Sequence, residues 1–264
     1  MTTDTARRGT ALPALGVVVA AGLVLFAMVR IALESSQGQR WDDTAMTTVV
    51  AGRDAQLTLL SWLGYVSIGA IALVVAGVVL IALFRGKARL AVAAGVLIVG
   101  ANISTQLLKQ LVLDRPDFGL GVLNSLPSGH TTVVASATGA MLLVVPGVLR
   151  PTAAAAGGFA TTLAGASTIV AGWHRPADVV AALAVSLLWT GIVAAVIHGP
   201  RQPVGGSFIS ALIGCVAGLA ALVVIGVRPA YGWVGFFEAS LVLGAVTAVT
   251  AAFVAAAAAI SPAE

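Results

Sequence analysis

The stretch Asn124-Ser125-Leu126-Pro127-Ser128-Gly129-His130 stands between two long apolar runs, and the fold and chemistry of the chain are read outward from it. Two other polar islands keep similar company. One is residues 109–117 (KQLVLDRPD), just upstream; the other is His174-Arg175-Pro176-Ala177-Asp178, at a later apolar–polar boundary. The chain has three histidines and two lysines, and two of the histidines and one lysine fall in these islands. Polar chemistry is therefore concentrated where apolar runs end.

Each island has a local physical reading. Pro127-Ser128-Gly129-His130 predicts a helix start, with Ser128 as N-cap and Gly129 leaving the backbone open to a ligand. Unpaired N–H groups and the positive dipole end make such a terminus an anion site. His174 and Asp178 are four residues apart and so share one helical face. A carboxylate there can hold one imidazole nitrogen and raise the basicity of the other. Lys109 and Arg115 add two cations at the same depth. Together these groups suit a phosphate: cations and N–H groups for its oxygens, one histidine to attack and one to protonate the leaving group.

The composition sets the surroundings. Of 264 residues, 59% are hydrophobic and 9% charged, and the mean hydropathy is +1.04. These values exclude an ordinary soluble domain and indicate a polytopic membrane protein. The basic excess, 14 Lys+Arg against 10 Asp+Glu, is scattered between apolar runs rather than clustered on one solvated face, which argues against a nucleic-acid partner. Cys215 is the one cysteine, so no disulfide forms within the chain, and it reads as a small core hydrophobe. The Ala/Gly/Val-rich composition hints at a GC-rich bacterial genome.

About 20 apolar residues span a bilayer as a helix. By that measure eight spans are predicted, at about 11–33, 58–84, 90–112, 130–149, 152–172, 177–198, 207–227 and 236–259. The first is too long for a signal-peptide core and lacks a persuasive cleavage site. The loop 85–89, with Arg85, Lys87 and Arg89, votes for the inner side under the positive-inside rule. Both termini then lie inside, with Arg7, Arg8 and Arg201. All three polar islands lie outside, where Trp41, Trp62, Trp173 and Trp233 fall as an interfacial belt. The expected fold is all-α, a single membrane domain over residues 1–264.

Other polar groups are less specific. Asn102, Thr105 and Lys109 share one helical face; the first two fit interhelical hydrogen bonds about as well as a cavity lining, whereas hydrogen bonds alone suit Lys109 poorly. Ser167 and Thr168 suit hydroxyls bonded back to their own helix. Residues 34–57 are the longest polar stretch, and an interfacial helix, a lid and a solvated connector all fit them. His198 lies on the side opposite the islands.

The three islands resemble the type-2 phosphatidic acid phosphatase family, the integral-membrane lipid phosphate phosphatases. That family's pattern is Lys, six residues and Arg-Pro; then Pro-Ser-Gly-His; then Ser-Arg, five residues, His, three residues and Asp. Pro127-Ser128-Gly129-His130 and His174-x3-Asp178 match fully, and the order along the chain agrees. The resemblance covers about residues 90–198. It implies a six-helix phosphatase core over 1–198, with 199–264 as two added transmembrane helices. It also implies metal-independent hydrolysis of a lipid phosphomonoester or diphosphate, with no cofactor. His174 is then the nucleophile that forms a phosphohistidine, Asp178 orients it, and His130 is the acid and later the base. Lys109, Arg115, Ser128 and Gly129 bind the phosphoryl oxygens. Phosphotransfer to a lipid hydroxyl would use the same groups, and a non-catalytic transporter or scaffold is the competing non-enzymatic reading. Two departures stand out. Five residues, instead of six, lie between Lys109 and Arg115, and Thr168 occupies the position of the family's arginine. Arg175 is expected to supply the missing cation.

Overall fold

In the computed structural model the described residues are 3–65, 68–197 and 206–262. They form a helical bundle with one minimal β-ladder. The helices are α1 (Thr3–Met28), α2 (Ser36–Met46), α3 (Arg53–Tyr65), α4 (Ile68–Phe84), α5 (Ala88–Leu107), α6 (Gly129–Val144), α7 (Arg150–Val170), α8 (Pro176–Val196), α9 (Ser207–Ile225) and α10 (Phe236–Ile260). Two π turns, Val29–Leu33 and Leu108–Val112, extend α1 and α5.

Among the described residues, six segments are long and apolar enough to cross a membrane: Ala11–Leu33, Ala88–Val112, Gly147–Val170, Pro176–Val196, Ser207–Ile225 and Phe236–Ile260. The other two predicted spans are shorter as helices. The second, expected at 58–84, is divided: residues 58–65 belong to α3, and the 17-residue helix α4 covers Ile68–Phe84. The fourth, expected at 130–149, stops at Val144, because Pro146 cannot continue the hydrogen-bond ladder. A 3-10 turn, Gly147–Leu149, then leads into α7. At 1.5 Å per residue, α6 is about 24 Å long, about 6 Å short of the roughly 30 Å hydrocarbon thickness.

Helix α8 lies at the centre. Its residues from Ala177 to Ser186 are buried on nearly every side, as expected of a helix that is apolar all round. It packs against α1, α5, α6 and α10. The C-terminal helices are not peripheral to this core. Buried side chains of α9 and α10, including Leu222, Leu243, Phe253 and Val254, join those of α6, α7 and α8 in one cluster. Lipid tails are as apolar as leucine, so close helix contact in a membrane comes from small residues. Gly214 and Gly218 bring α9 against α7 in this way. A Cβ on Gly214 would lie 1.9 Å from the Ala155 carbonyl oxygen, and one on Gly218 would lie 2.8 Å from that of Phe159.

The bundle has two chemically distinct ends. One carries Arg85, Lys87 and Arg89 at the start of α5, together with buried Arg150. The Arg150 Nη2 donates to the Pro262 carbonyl at 2.7 Å, which fixes the C-terminal end of α10 to the start of α7. The other end carries all three polar islands. It also carries the β-ladder, in which β1 (Val49–Ala51) pairs antiparallel with β2 (Val227–Pro229), Val50 facing Arg228. Nothing in the sequence predicts this ladder. It fastens the polar stretch 34–57 to the α9–α10 hairpin, so that stretch is a packed element with its own helix. Trp41 and Trp233 are exposed at this end, as an interfacial belt requires. The side chains of Arg7, Arg8 and Trp62, and all of His198 and Arg201, lie outside the described residues.

Candidate active site

The site is built where α6 and α8 begin. Ser128 is the N-cap of α6, and its Oγ accepts from the Thr131 N–H and the Thr131 hydroxyl. The Ser128 N–H donates to the Asp178 carbonyl at 2.9 Å, which ties the two helix starts together. Gly129 and His130 open α6, and His130 lies against Trp173 with ring centroids 5.4 Å apart.

Helix α8 starts differently. Its N-cap is Arg175, whose side chain has no acceptor to offer. The Asp178 carboxylate takes that role: Oδ2 accepts from the Arg175 N–H at 3.0 Å, from the Ser125 hydroxyl at 2.6 Å and from His174 Nδ1 at 3.1 Å. With Nδ1–H engaged by a carboxylate, Nε2 of His174 is the nitrogen left for chemistry. His174 is itself held by the loop after α7, where the Thr168 carbonyl accepts from the N–H groups of both Trp173 and His174. The Thr168 hydroxyl donates back to the Gly165 carbonyl. Threonine therefore fixes the histidine through its backbone and presents no cation.

His130 and His174 open onto one cavity of about 540 Å³. Lys109, Gly129, Asn102 and Gln106 line it with them, and its remaining walls include Val75, Ile98, Val99, Ile103 and Val133. Its polar end is thus cationic and imidazole-bearing, and its other walls are aliphatic. Lys109 sits in the π turn Leu108–Val112, where side chains do not step by the 100° of an α-helix. With the shorter spacing to Arg115, it still reaches the cavity. Asn102 and Thr105 bond α6 as well, to Ser136 at 3.2 Å and Thr132 at 2.9 Å.

Arg115, Ser128 and Arg175 are not among the cavity-lining residues. Arg115 is 4% exposed, and its three guanidinium nitrogens are buried with no hydrogen-bond partner among the described residues. Burial and then Arg175 push its pKa down, while Asp178, Asp42 and Asp43 pull it up. A guanidinium stays charged throughout, so this is a buried cation open to an anion. Arg175 donates instead to Asp43 through Nε and Nη2, at 3.1 and 2.9 Å.

The PAP2 superfamily model matches residues 89–202. This segment, less than half of the chain, is similar to the PAP2 superfamily. It spans α5 to the end of α8 and includes all three islands. No curated protein and no solved structure gives a significant match. Among the described residues, no group of three or more His, Cys, Asp or Glu side chains is placed to hold a metal ion.

Sequence reasoning missed several groups around the PAP2 segment. Ser125 bonds Asp178, and Asn124 ties the π turn to the helix start by donating to the Leu113 carbonyl and accepting from the Leu126 N–H. Both lie in the stretch that begins the reading, yet nothing in their spacing marks them. Asp42 and Asp43 have the sequence surroundings of solvated charges.

Proposed function

We propose that the protein hydrolyses the phosphomonoester or diphosphate of a membrane lipid through a phosphohistidine on His174. The observation that carries this reading is the single cavity with His130, His174 and Lys109 at one end and aliphatic walls beyond. Such a cavity fits an amphiphile: a phosphate at the polar end and a tail among α4, α5 and α6. Lys109, buried Arg115 and the N–H groups at the start of α6 stabilise charge on the phosphoryl oxygens, where preorganised electrostatics contribute most. Arg175 adds its charge from beside the site while held by Asp43.

The His174 Nε2 lone pair attacks phosphorus, and the bond from phosphorus to the lipid oxygen breaks. His130 gives its proton to that oxygen. His130 then takes a proton from water, whose oxygen displaces Nε2 and releases inorganic phosphate. Asp178 holds the imidazole orientation and stabilises its charged form. The reaction needs no metal. The inner-side vote of Arg85, Lys87 and Arg89 puts the site on the outer face of the cell membrane.

The test is phosphate release from phosphatidic acid, phosphatidylglycerol phosphate and a polyprenyl diphosphate, with EDTA present. Wild-type protein is expected to release phosphate from at least one and to trap an acid-labile phosphoenzyme. His174→Ala is expected to do neither. Turnover or a phosphoenzyme in His174→Ala overturns the assignment. Phosphate that appears on an acceptor lipid rather than in solution replaces hydrolysis by transfer.

A further inference from the structure

Helix α2 and the residues beside it make contacts that the hydrolytic reaction does not account for. Gln39 is fully buried, and its Nε2 donates to the Leu33 carbonyl at 2.7 Å and to the Pro116 carbonyl at 3.1 Å. It therefore joins the end of α1 to the residue that follows Arg115. Asp42 Oδ1 accepts from the Ala177 N–H at 2.9 Å. Asp43 grips the Arg175 guanidinium. The helix itself is pressed close: a Cβ on Gly38 would lie 1.9 Å from the Ile31 carbonyl oxygen.

These contacts answer a specific deficiency. The first N–H groups of a helix need acceptors from outside the helix. Arg175 at the N-cap cannot supply one, and Asp178 Oδ2 is committed to His174, Ser125 and the Arg175 N–H. The Ala177 N–H is buried and would be left unmet. A carboxylate 135 residues away in sequence meets it. Asp42 and Asp178 thereby both supply acceptor oxygens to the first N–H groups at the start of α8.

We propose that α2 is a brace for the catalytic face, in which Asp42 caps α8 from outside and Asp43 clamps Arg175, making both positioning residues for the His174–Asp178 pair. The inference rests on the catalytic reading of that pair. Neither carboxylate lines the cavity, so both act through the start of α8. The charged groups facing Asp42 are Asp178 and Arg175 on α8 and Arg115 on the preceding loop. An amide at position 42 keeps the accepting oxygen, whereas a methyl group removes it.

The experiment uses full-length Asp42→Ala, Asp42→Asn and Asp43→Ala in detergent, with two readouts. Hydrogen–deuterium exchange over residues 173–182 is expected to rise in Asp42→Ala, and to stay within twofold of wild type in Asp42→Asn. Against the substrate found active, kcat is expected to fall tenfold or more in Asp42→Ala with KM within threefold. Asp42→Asn should restore most of it. Equal exchange in all three proteins overturns the brace, as does an asparagine variant no better than alanine. If Asp42→Ala does not fold, Asp43→Ala decides: a kcat within twofold of wild type overturns the proposal, and a fall of threefold or more at unchanged protein yield supports it. Failure of the catalytic reading looks different, because exchange would respond as expected while His174→Ala kept its activity.

Discussion

Helices α6 and α8 begin side by side and present the two histidines to one cavity, but they are capped in opposite ways. Helix α6 carries its own cap: Ser128 precedes Gly129, and its hydroxyl oxygen meets the Thr131 N–H within one turn. Helix α8 begins with Arg175, so its cap comes from Asp178 at the third position and from Asp42 across the molecule. The start bearing His130 is thus a local property of the sequence. The start bearing His174 depends on long-range packing. The difference shows why the residue nearest the proposed bond-making step needs more of the fold than its partner does.

The strongest way to break this comparison is Asp178→Asn. An amide keeps the size but cannot stabilise a cationic imidazole, and it can favour the wrong tautomer. The rate is expected to fall about 10³-fold or more, with helix content unchanged by circular dichroism. A fall of less than tenfold would mean that His174 is oriented by the Thr168 carbonyl alone.

A smaller effect is expected at the self-capped start. Ser128→Ala removes one cap and leaves the Thr131 N–H and hydroxyl buried without that acceptor. The loss in stability should be about 1 kcal/mol, measured by urea or thermal unfolding in detergent. A loss of several kcal/mol would show that α6, too, draws its cap from the wider fold.

A change of pH sharpens the contrast further. Burial pushes the Asp42 carboxyl from 3.8 up to about 7; the Asp178 charge adds to the rise, and the Ala177 N–H, Arg175 and Arg115 oppose it. The folded protein therefore holds a proton there that the unfolded chain has released. This contribution to stability is complete below about pH 4 and is lost as pH rises through about 7, with an upper bound of about 4 kcal/mol. Asp42→Asn lacks the titration. Its Tm relative to wild type should rise between pH 5 and pH 8, and a difference that is flat or falls would contradict the buried, proton-holding carboxyl.

Much of the site was legible because its residues announce themselves locally. Pro127-Ser128-Gly129-His130 is a helix start by composition alone, and the spacing of His174 and Asp178 marks them as a pair, although His174 meets Asp178 from the turn before α8 and not from a shared helical face. The six long membrane-length helices follow from apolar runs of sufficient length. What escapes a reading of the sequence is nonlocal. Asp42 and Asp43 are separated from Ala177 and Arg175 by more than 130 positions, and in sequence they have the polarity of a surface connector. The ladder between β1 and β2 is three residues long in each strand, too short for an alternating pattern to register. The early end of α6 at Val144 is signalled by Pro146, but the apolar residues on either side of that proline conceal it.

The β-ladder bears on the order in which the protein can be completed during synthesis. Val49–Ala51 emerges early and Val227–Pro229 late, with α3 through α9 between them. The PAP2-matching segment, which α2 contacts through Gln39, Asp42 and Asp43, is already made when the second strand appears, but β1 still lacks its partner. A nascent chain halted after α8 holds both histidines and Asp178 and lacks this fastening. Closure of the ladder over the stretch 34–57 is therefore a late event, timed by the arrival of the C-terminal hairpin rather than by the synthesis of the candidate site residues.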